Sequence, residues 1–288
     1  MPELPEVETV RRGLHKLIIG RSIASAISDN PGSFPNAQAQ IDAFLIGSRV
    51  TDVRRRAKVL MIDLSTDYSL VVHLKMTGQL VFRGETDFGA GHPTDSLIGE
   101  LPDRSTHVTI TFTDGTHLFF NDQRKFGWMK LLPTAEVGDL PFMRRVGPEP
   151  LEDDFTLRQF IDRFSRRPRT SIKAALLDQT VIAGVGNIYA DESLWGAHIH
   201  PKRLVQTITD DEFAALYREV REVMNLSIEK GGSTAKNYVN AEGKRGSYMD
   251  FARVFRREGQ ECPRCGTTIV KFKAAGRGTH ICPICQQL

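Results

Sequence analysis

The first apolar residues of the chain recur at spacings of three and four. Val7, Val10, Leu14 and Leu17 share one face, which predicts a helix over residues 6–19, and Gly20 stops it. The period then changes. Short runs rich in β-branched and apolar residues occupy 23–27, 50–53, 59–64, 70–74, 79–82, 107–112, 117–121 and 128–132, with turn signals such as Asp114-Gly115 between them. Many short strands at this spacing predict a sandwich or a barrel. Residues 83–104 are rich in Gly, Pro, Asp and Thr and read as a long surface loop.

Near Gly147-Pro148-Glu149-Pro150 the composition shifts, and helical patterns continue over 157–166, 171–177, 186–197 and 210–230. The last opens after Thr209, a candidate N-cap, and ends at Gly231-Gly232. Residues 231–246 form a polar, Gly-rich loop. The expected class is a multi-domain α+β protein. Residues 1–135 are expected to form an N-terminal domain with an N-terminal helix and a β-sandwich or barrel, 136–150 a linker, 151–250 a helical domain and 251–288 a small C-terminal unit.

Composition narrows the class without deciding it. The 288 residues are 40% hydrophobic and 25% charged, ordinary for a globular protein. The net charge of +3 is too small to indicate nucleic acid by itself. Its distribution says more. Arg253, Arg256, Arg257, Arg264, Lys271, Lys273 and Arg277 crowd the C-terminal end, against only Glu258 and Glu261. No apolar run approaches the roughly 18–20 residues that span a bilayer. Met1-Pro2-Glu3-Leu4-Pro5-Glu6 has no basic or apolar leader region, so a cytoplasmic protein without membrane contact is expected.

The four cysteines carry the clearest local signal. Cys262-Pro263-Arg264-Cys265 and Cys282-Pro283-Ile284-Cys285 are two C-x₂-C pairs sixteen residues apart. Four thiolates satisfy tetrahedral zinc, and each close pair fits a tight knuckle. A hairpin of 267–272 and 279–281 would join them. Four protein ligands leave no open coordination position, so one structural zinc is expected. The surrounding cations suit a nucleic-acid grip, but zinc ribbons also bind proteins or serve structure alone.

The N-terminus is the other unusual stretch. Without Met1, Pro2 would present a secondary amine that can attack a sugar C1′ and form an iminium, with Glu3 and Glu6 nearby to handle protons. The same residues also read as a rigid leader whose acids complement a helix dipole.

Together these ends resemble the formamidopyrimidine-DNA glycosylases, almost from end to end. The likeness is carried by Pro2-Glu3-Leu4-Pro5-Glu6-Val7-Glu8, Arg55-Arg56-Ala57-Lys58, His73-Leu74-Lys75-Met76, Asn121-Asp122-Gln123-Arg124-Lys125-Phe126-Gly127, Gly184-Val185-Gly186-Asn187-Ile188-Tyr189-Ala190, Gly276-Arg277-Gly278-Thr279 and the cysteine pairs. The resemblance implies roles for the matching residues. Pro2 would be the Schiff-base nucleophile, Glu3 the general acid, Glu6 a supporting carboxylate and Lys58 a proton-transfer lysine that also holds phosphate. Arg277 would be the finger arginine linked to δ-elimination. Met76, Arg124 and Phe126 would fill the gap left by a flipped-out nucleotide. Arg169, Lys173 and Asn187 would bind phosphate within a helix–two-turns–helix domain, and His107 would bind DNA.

The fold so implied is a β-sandwich carrying the helix that begins at the nucleophile, followed by the helix–two-turns–helix domain and a four-cysteine zinc-ribbon hairpin, or zinc finger. The implied activity is that of a base-excision-repair glycosylase and AP lyase. It would remove 8-oxoguanine and formamidopyrimidines from damaged double-stranded DNA and then nick the strand by β,δ-elimination. Such an enzyme would act as a bacterial, nucleoid-associated monomer. The 231–246 loop matches a lesion-capping loop. Thr77 stands where the family usually has serine, Ile281 replaces a common aromatic, and 83–104 is long for the family. An endonuclease VIII-like enzyme for oxidised pyrimidines is the related alternative, disfavoured by Leu4-Pro5-Glu6-Val7. A non-catalytic zinc-ribbon DNA binder is the alternative of a different kind.

Overall fold

The computed structural model describes residues 1–233 and 247–288, so most of the 231–246 loop lies outside the described residues. The chain divides into two compact units. One holds Met1–Arg144 and Ile228–Tyr248, the other Arg145–Ser227 and Met249–Leu288. Two features of this division differ from the sequence reading. The last residues of the long helix group with the N-terminal unit, and the zinc hairpin belongs to the same unit as the helices.

The first unit is a sandwich of two antiparallel sheets. Helix α1 (Leu4–Ile18) is followed by β1 (Ile23–Ser28), α2 (Gln38–Phe44), β2 (Val50–Arg56), β3 (Val59–Leu64), β4 (Tyr68–His73), β5 (Gly78–Arg83), β6 (Phe88–Gly91), β7 (Thr106–Phe112), β8 (His117–Asp122) and β9 (Trp128–Pro133). One sheet runs β1-β7-β8-β5-β6 and the other β2-β3-β4-β9. Their facing side chains, including Leu60, Ile62, Val72, Leu80, Phe82, Ile110 and Phe120, merge with Val7, Val10 and Leu14 of α1 in one core.

Helix α1 starts two residues earlier than its apolar spacing predicts, because its N-terminus is capped by acids. Glu3 is the N-cap, and its amide donates to Glu6 Oε2 at 2.8 Å while its own side chain accepts from the Glu6 amide. This reciprocal box accommodates Pro5 in the first turn, where a missing N–H is harmless. Helix α2 escaped the pattern because it is seven residues long and buries only Ile41.

Residues 83–104 are not a plain surface loop. Phe88–Gly91 pairs with β5, and Phe88, Ala90 and Leu97 are buried. Leu97 packs with Val81 and Phe119 on the outer face of the five-stranded sheet, with Leu101 against them. The other sheet is covered likewise, by Val137, Phe142 and Met143 over Val59, Met61 and Val71. Strands buried on both faces read as continuous apolar runs. Leu80-Val81-Phe82 and Leu118-Phe119-Phe120 are such runs, and they required a cover.

The second unit contains α3 (Leu157–Ser165), α4 (Ile172–Leu177), α5 (Asn187–Gly196), most of α6 (Asp210–Glu229) and the hairpin β10 (Val270–Ala274) and β11 (Arg277–Ile281). Thr209 caps α6 as expected, in a box with Glu212. Trp195 packs with Val254, Cys262, Ile269 and Cys282, which fuses the hairpin to α5. No described helix is long and apolar enough to cross a membrane.

Phe88 supplies a test of the covered edge. Its ring lies so close to Gly13 of α1 that a Cβ there would fall 2.2 Å from the ring. Phe88→Ala should therefore cost about 3–5 kcal/mol in reversible denaturant unfolding, the range for a lost core aromatic. A loss under about 1 kcal/mol, typical of surface sites, would show that β6 is not core.

Candidate functional site

The head of α1 gathers the proposed chemistry. Pro2 is buried, and Glu3 and Glu6 are only 3% and 2% exposed. Glu6 is held from two sides, by the Glu3 amide through Oε2 and by the Ser233 amide at 2.8 Å through Oε1. One turn along, Glu8 accepts bonds from Arg11 and Arg12 and, at 3.1 Å, from Arg55 of β2. Burial opposes the charge on Glu8, but these guanidinium groups outweigh it and hold the carboxyl below its ordinary range. This ion-pair cluster pins the helix to the strand that precedes Lys58. Lys58 follows Ala57, which takes the left-handed conformation, and is 8% exposed.

Lys58 neighbours His73. Burial first, then the charges of Lys75 and Lys58, push the His73 imidazole down to about 3. The neutral ring accepts the Lys75 amide on Nδ1 at 3.0 Å. That bond supports a turn in which Lys75 is left-handed and Met76 points outward, 36% exposed. A second turn carries Arg124 and Phe126. The Arg124 guanidinium lies 4.8 Å from the centre of the Phe126 ring, and Phe126 is 54% exposed.

His107, expected to bind DNA, is held at the end of β8. Its side chain is enclosed, with Nδ1 3.0 Å from Asp29 Oδ1 and Nε2 donating to the Asp122 carbonyl at 2.9 Å. It braces the end of β8.

Lys173, expected to bind phosphate, is enclosed as well. It is fully buried and reaches Asp191 at 2.6 Å and the Thr279 hydroxyl at 2.7 Å. Asp191 also accepts the His280 amide at 3.0 Å and faces its ring at 3.2 Å. The pair anchors β11 to α4 and α5. Asn187, at the start of α5, donates to the Gly278 carbonyl at 2.9 Å. Between these anchors the hairpin turns through Ala275 and Gly276, both at positive φ, the geometry of a two-residue type I′ connection. Arg277 stands exposed just beyond it, and Arg169 is exposed ahead of α4.

The four cysteines converge. Their sulfurs lie within 4.8 Å of one another, with Cys262–Cys285 at 4.0 Å, Cys265–Cys282 at 3.4 Å and Cys265–Cys285 at 3.5 Å. Tetrahedral zinc with sulfur at about 2.3 Å needs sulfurs roughly 3.8 Å apart. The donor set fits. Burial, then the neighbouring Cys265 and Cys282 sulfurs, push the Cys285 thiol up to about 12. A divalent cation reverses that crowding by binding the thiolates.

Three residues matter here that motif reasoning left without a role. Glu8, His73 and Asp122 all lie inside quoted motifs, but their function is to hold neighbours, and only the geometry displays it.

Known proteins match this grouping. Residues 1–129 match the formamidopyrimidine-DNA glycosylase N-terminal domain, 146–239 the formamidopyrimidine-DNA glycosylase H2TH domain and 259–288 a zinc finger found in FPG and IleRS. The chain is 41% identical over 289 residues to the formamidopyrimidine-DNA glycosylase of Pelotomaculum thermopropionicum, covering 100% of each. It is similar to a Lactococcus lactis FPG mutant in complex with Fapy-dG-containing DNA, at TM-score 0.87 and 34% identity with 100% of each chain covered. A complex of Lactococcus lactis Fpg with abasic-site DNA gives a TM-score of 0.86 at 34% identity, covering 99% of this chain and 100% of that one.

The site yields two expected outcomes. The His73 ring should remain neutral in nitrogen-edited NMR down to about pH 4, since its folded pKa of about 3 lies below the ordinary 6.5. The unfolded ring binds its proton more tightly, so this contribution to stability is complete above pH 6.5 and is lost as pH falls towards 3. A ring that titrates near 6.5 in the folded protein would contradict the arrangement. Cys265→Ser should lower zinc content by elemental analysis and DNA affinity together. A zinc-free variant that binds DNA as tightly as the parent would show that the metal does not organise the hairpin.

Proposed function

Because the chain belongs to the formamidopyrimidine-DNA glycosylase family, we propose that it excises oxidised purines from damaged duplex DNA and then cleaves the strand, with Pro2 as the covalent nucleophile. The carrying observation is the enclosed head of α1, where Pro2 adjoins two buried carboxylates whose positions are set by the capping box.

The ring nitrogen of Pro2 is an amide while Met1 is attached. Once Met1 is removed it is a secondary amine that attacks C1′ of a flipped-out deoxyribose. Glu3 supplies a proton to the sugar oxygen as its ring opens and the base leaves, giving an iminium on the proline nitrogen. Glu6, fixed by two amides, keeps Glu3 in place. Lys58 serves the loss of the C2′ proton in β-elimination and holds a phosphate, and Arg277 serves the δ step from the hairpin. Met76, Arg124 and Phe126 occupy the space the nucleotide vacates, and Arg169 and Asn187 take phosphates. Lys173 and His107 contribute from inside, by fixing the hairpin and the end of β8. Zinc makes the hairpin rigid and takes no part in bond making. As modules of sequence, a sandwich over residues 1–135, a linker over 136–150, a helical domain over 151–250 and a zinc finger over 251–288 are supported by the matched stretches 1–129, 146–239 and 259–288, whereas by packing 228–248 groups with the sandwich and the hairpin with the helices. Relatives and substrate together support a monomer acting in the bacterial cytoplasm at the nucleoid.

Borohydride trapping on an abasic duplex tests the chemistry. The parent, with intact mass showing loss of Met1, should give a covalent protein–DNA adduct, and Pro2→Gly should lose most of its strand nicking. Undiminished nicking by Pro2→Gly, or by a protein retaining Met1, would remove Pro2 from the mechanism. Absence of any adduct would favour a pure DNA binder. Excision should be faster from an 8-oxoguanine duplex than from a thymine-glycol duplex, and the reverse order would assign the oxidised-pyrimidine branch.

A further inference from the structure

Asp122, the last residue of β8, is fully buried and faces two turns at once. Its Oδ1 accepts the Thr77 hydroxyl and, at 3.1 Å, the Arg124 amide, while Oδ2 accepts the Gly127 amide at 2.6 Å. The Thr77 oxygen accepts the same Arg124 amide at 3.1 Å. Thr77 comes directly after Met76 in the turn between β4 and β5. Arg124 and Gly127 bracket Phe126 in the turn between β8 and β9. One carboxyl group and one hydroxyl therefore join the two turns that carry exposed apolar side chains.

Neither turn is relaxed by itself. Lys75 and Lys125, each directly before an exposed apolar residue, have φ of +51° and +56°. A side chain in that region costs roughly 1–2 kcal/mol, which bonds elsewhere must offset. Gly127 has no room for a side chain. A Cβ on it would lie 2.8 Å from the Phe120 ring and 3.0 Å from Asp122 Oδ2. His107 holds the Asp122 carbonyl from behind.

We propose that Asp122, acting through Thr77, is a positioning centre that holds Met76 and the Arg124–Phe126 pair as one rigid wedge, and thereby sets the rate at which the duplex is unstacked. The inference rests on the duplex-excision reading above. Thr77 is 9% exposed and Asp122 is enclosed, so both act from beneath the turns. A wedge whose halves shift independently fills the vacated stack poorly, and the base returns to the helix before the sugar is attacked.

The test compares Thr77→Val, which keeps the shape and loses the hydroxyl, with Thr77→Ser, which keeps the hydroxyl. The readouts are single-turnover excision of 8-oxoguanine and the fluorescence rise of a 2-aminopurine stacked beside the lesion. Thr77→Val should slow both by about tenfold, the worth of one buried hydrogen bond, and Thr77→Ser should restore both to within about twofold. In a Met76→Ala background the Thr77→Val effect should shrink, because the positioned side chain is gone. Asp122→Asn, which sets an amide NH₂ among amide donors, should slow both readouts at least as much as Thr77→Val. Equal rates for Thr77→Val and Thr77→Ser, or an undiminished effect in the Met76→Ala background, would overturn the proposal. A parent protein that fails to excise 8-oxoguanine would instead reject the function on which it rests.

Discussion

A backbone amide removed from water without an acceptor costs about 1–3 kcal/mol. Turns that carry chemistry cannot pair their amides along a ladder, and each unit satisfies this constraint with buried carboxylates. Glu6 takes the amides of Glu3 and Ser233. Asp122 takes those of Arg124 and Gly127. Asp191 takes that of His280, and Glu192 takes those of Arg253, Val254 and Phe255 at 2.8–2.9 Å. Each acid thereby fixes backbone outside its own helix or strand.

Buried acids of this kind specify geometry more than they add stability. The Lys173–Asp191 pair shows the distinction, since both side chains are fully enclosed. Desolvating two charges roughly cancels their attraction, so such a pair contributes little net energy. Breaking it is costly, however, because one charge would remain uncompensated. The β10–β11 hairpin is thereby restricted to a register in which Arg277 stands outside and Thr279 and His280 stand inside. Zinc restricts the other end of the same hairpin through Cys282 and Cys285. A short segment with little apolar content thus acquires one conformation from a metal at one end and an ion pair along its length.

What the sequence disclosed was local. The doubled cysteine spacing, the strand and helix periods and the Thr209 cap each depend on residues within a few positions of one another. What it concealed depended on distant partners. The Gly and Pro content of 83–104 suggested a loop, but the segment is recruited as a strand and a cover by apolar runs lying on either side of it. Lys173 and His107 carried the identities that suit phosphate and DNA, and identity does not report exposure. Both are buried against partners, Asp191 and Thr279 for Lys173, Asp29 and the Asp122 carbonyl for His107, that come close only after folding. Asp122 sat in plain view within its motif beside Arg124 and Phe126. Its role was hidden because its partner, Thr77, lies 45 positions away.

The exposure of Met76 and Phe126 completes the physical argument. Large apolar side chains left in water on otherwise polar turns contribute nothing to the stability of the chain that carries them. Mobile turns could fold such side chains back against the sheet, yet here the backbone beneath them is fixed by a buried carboxyl, a neutral imidazole and two strained lysines. Order has been retained where disorder would be cheaper. That choice is advantageous only if the side chains must meet something apolar, in a fixed arrangement, without losing more conformational freedom on contact. The stacked interior of a base-paired duplex, opened at one nucleotide, is a surface with those properties.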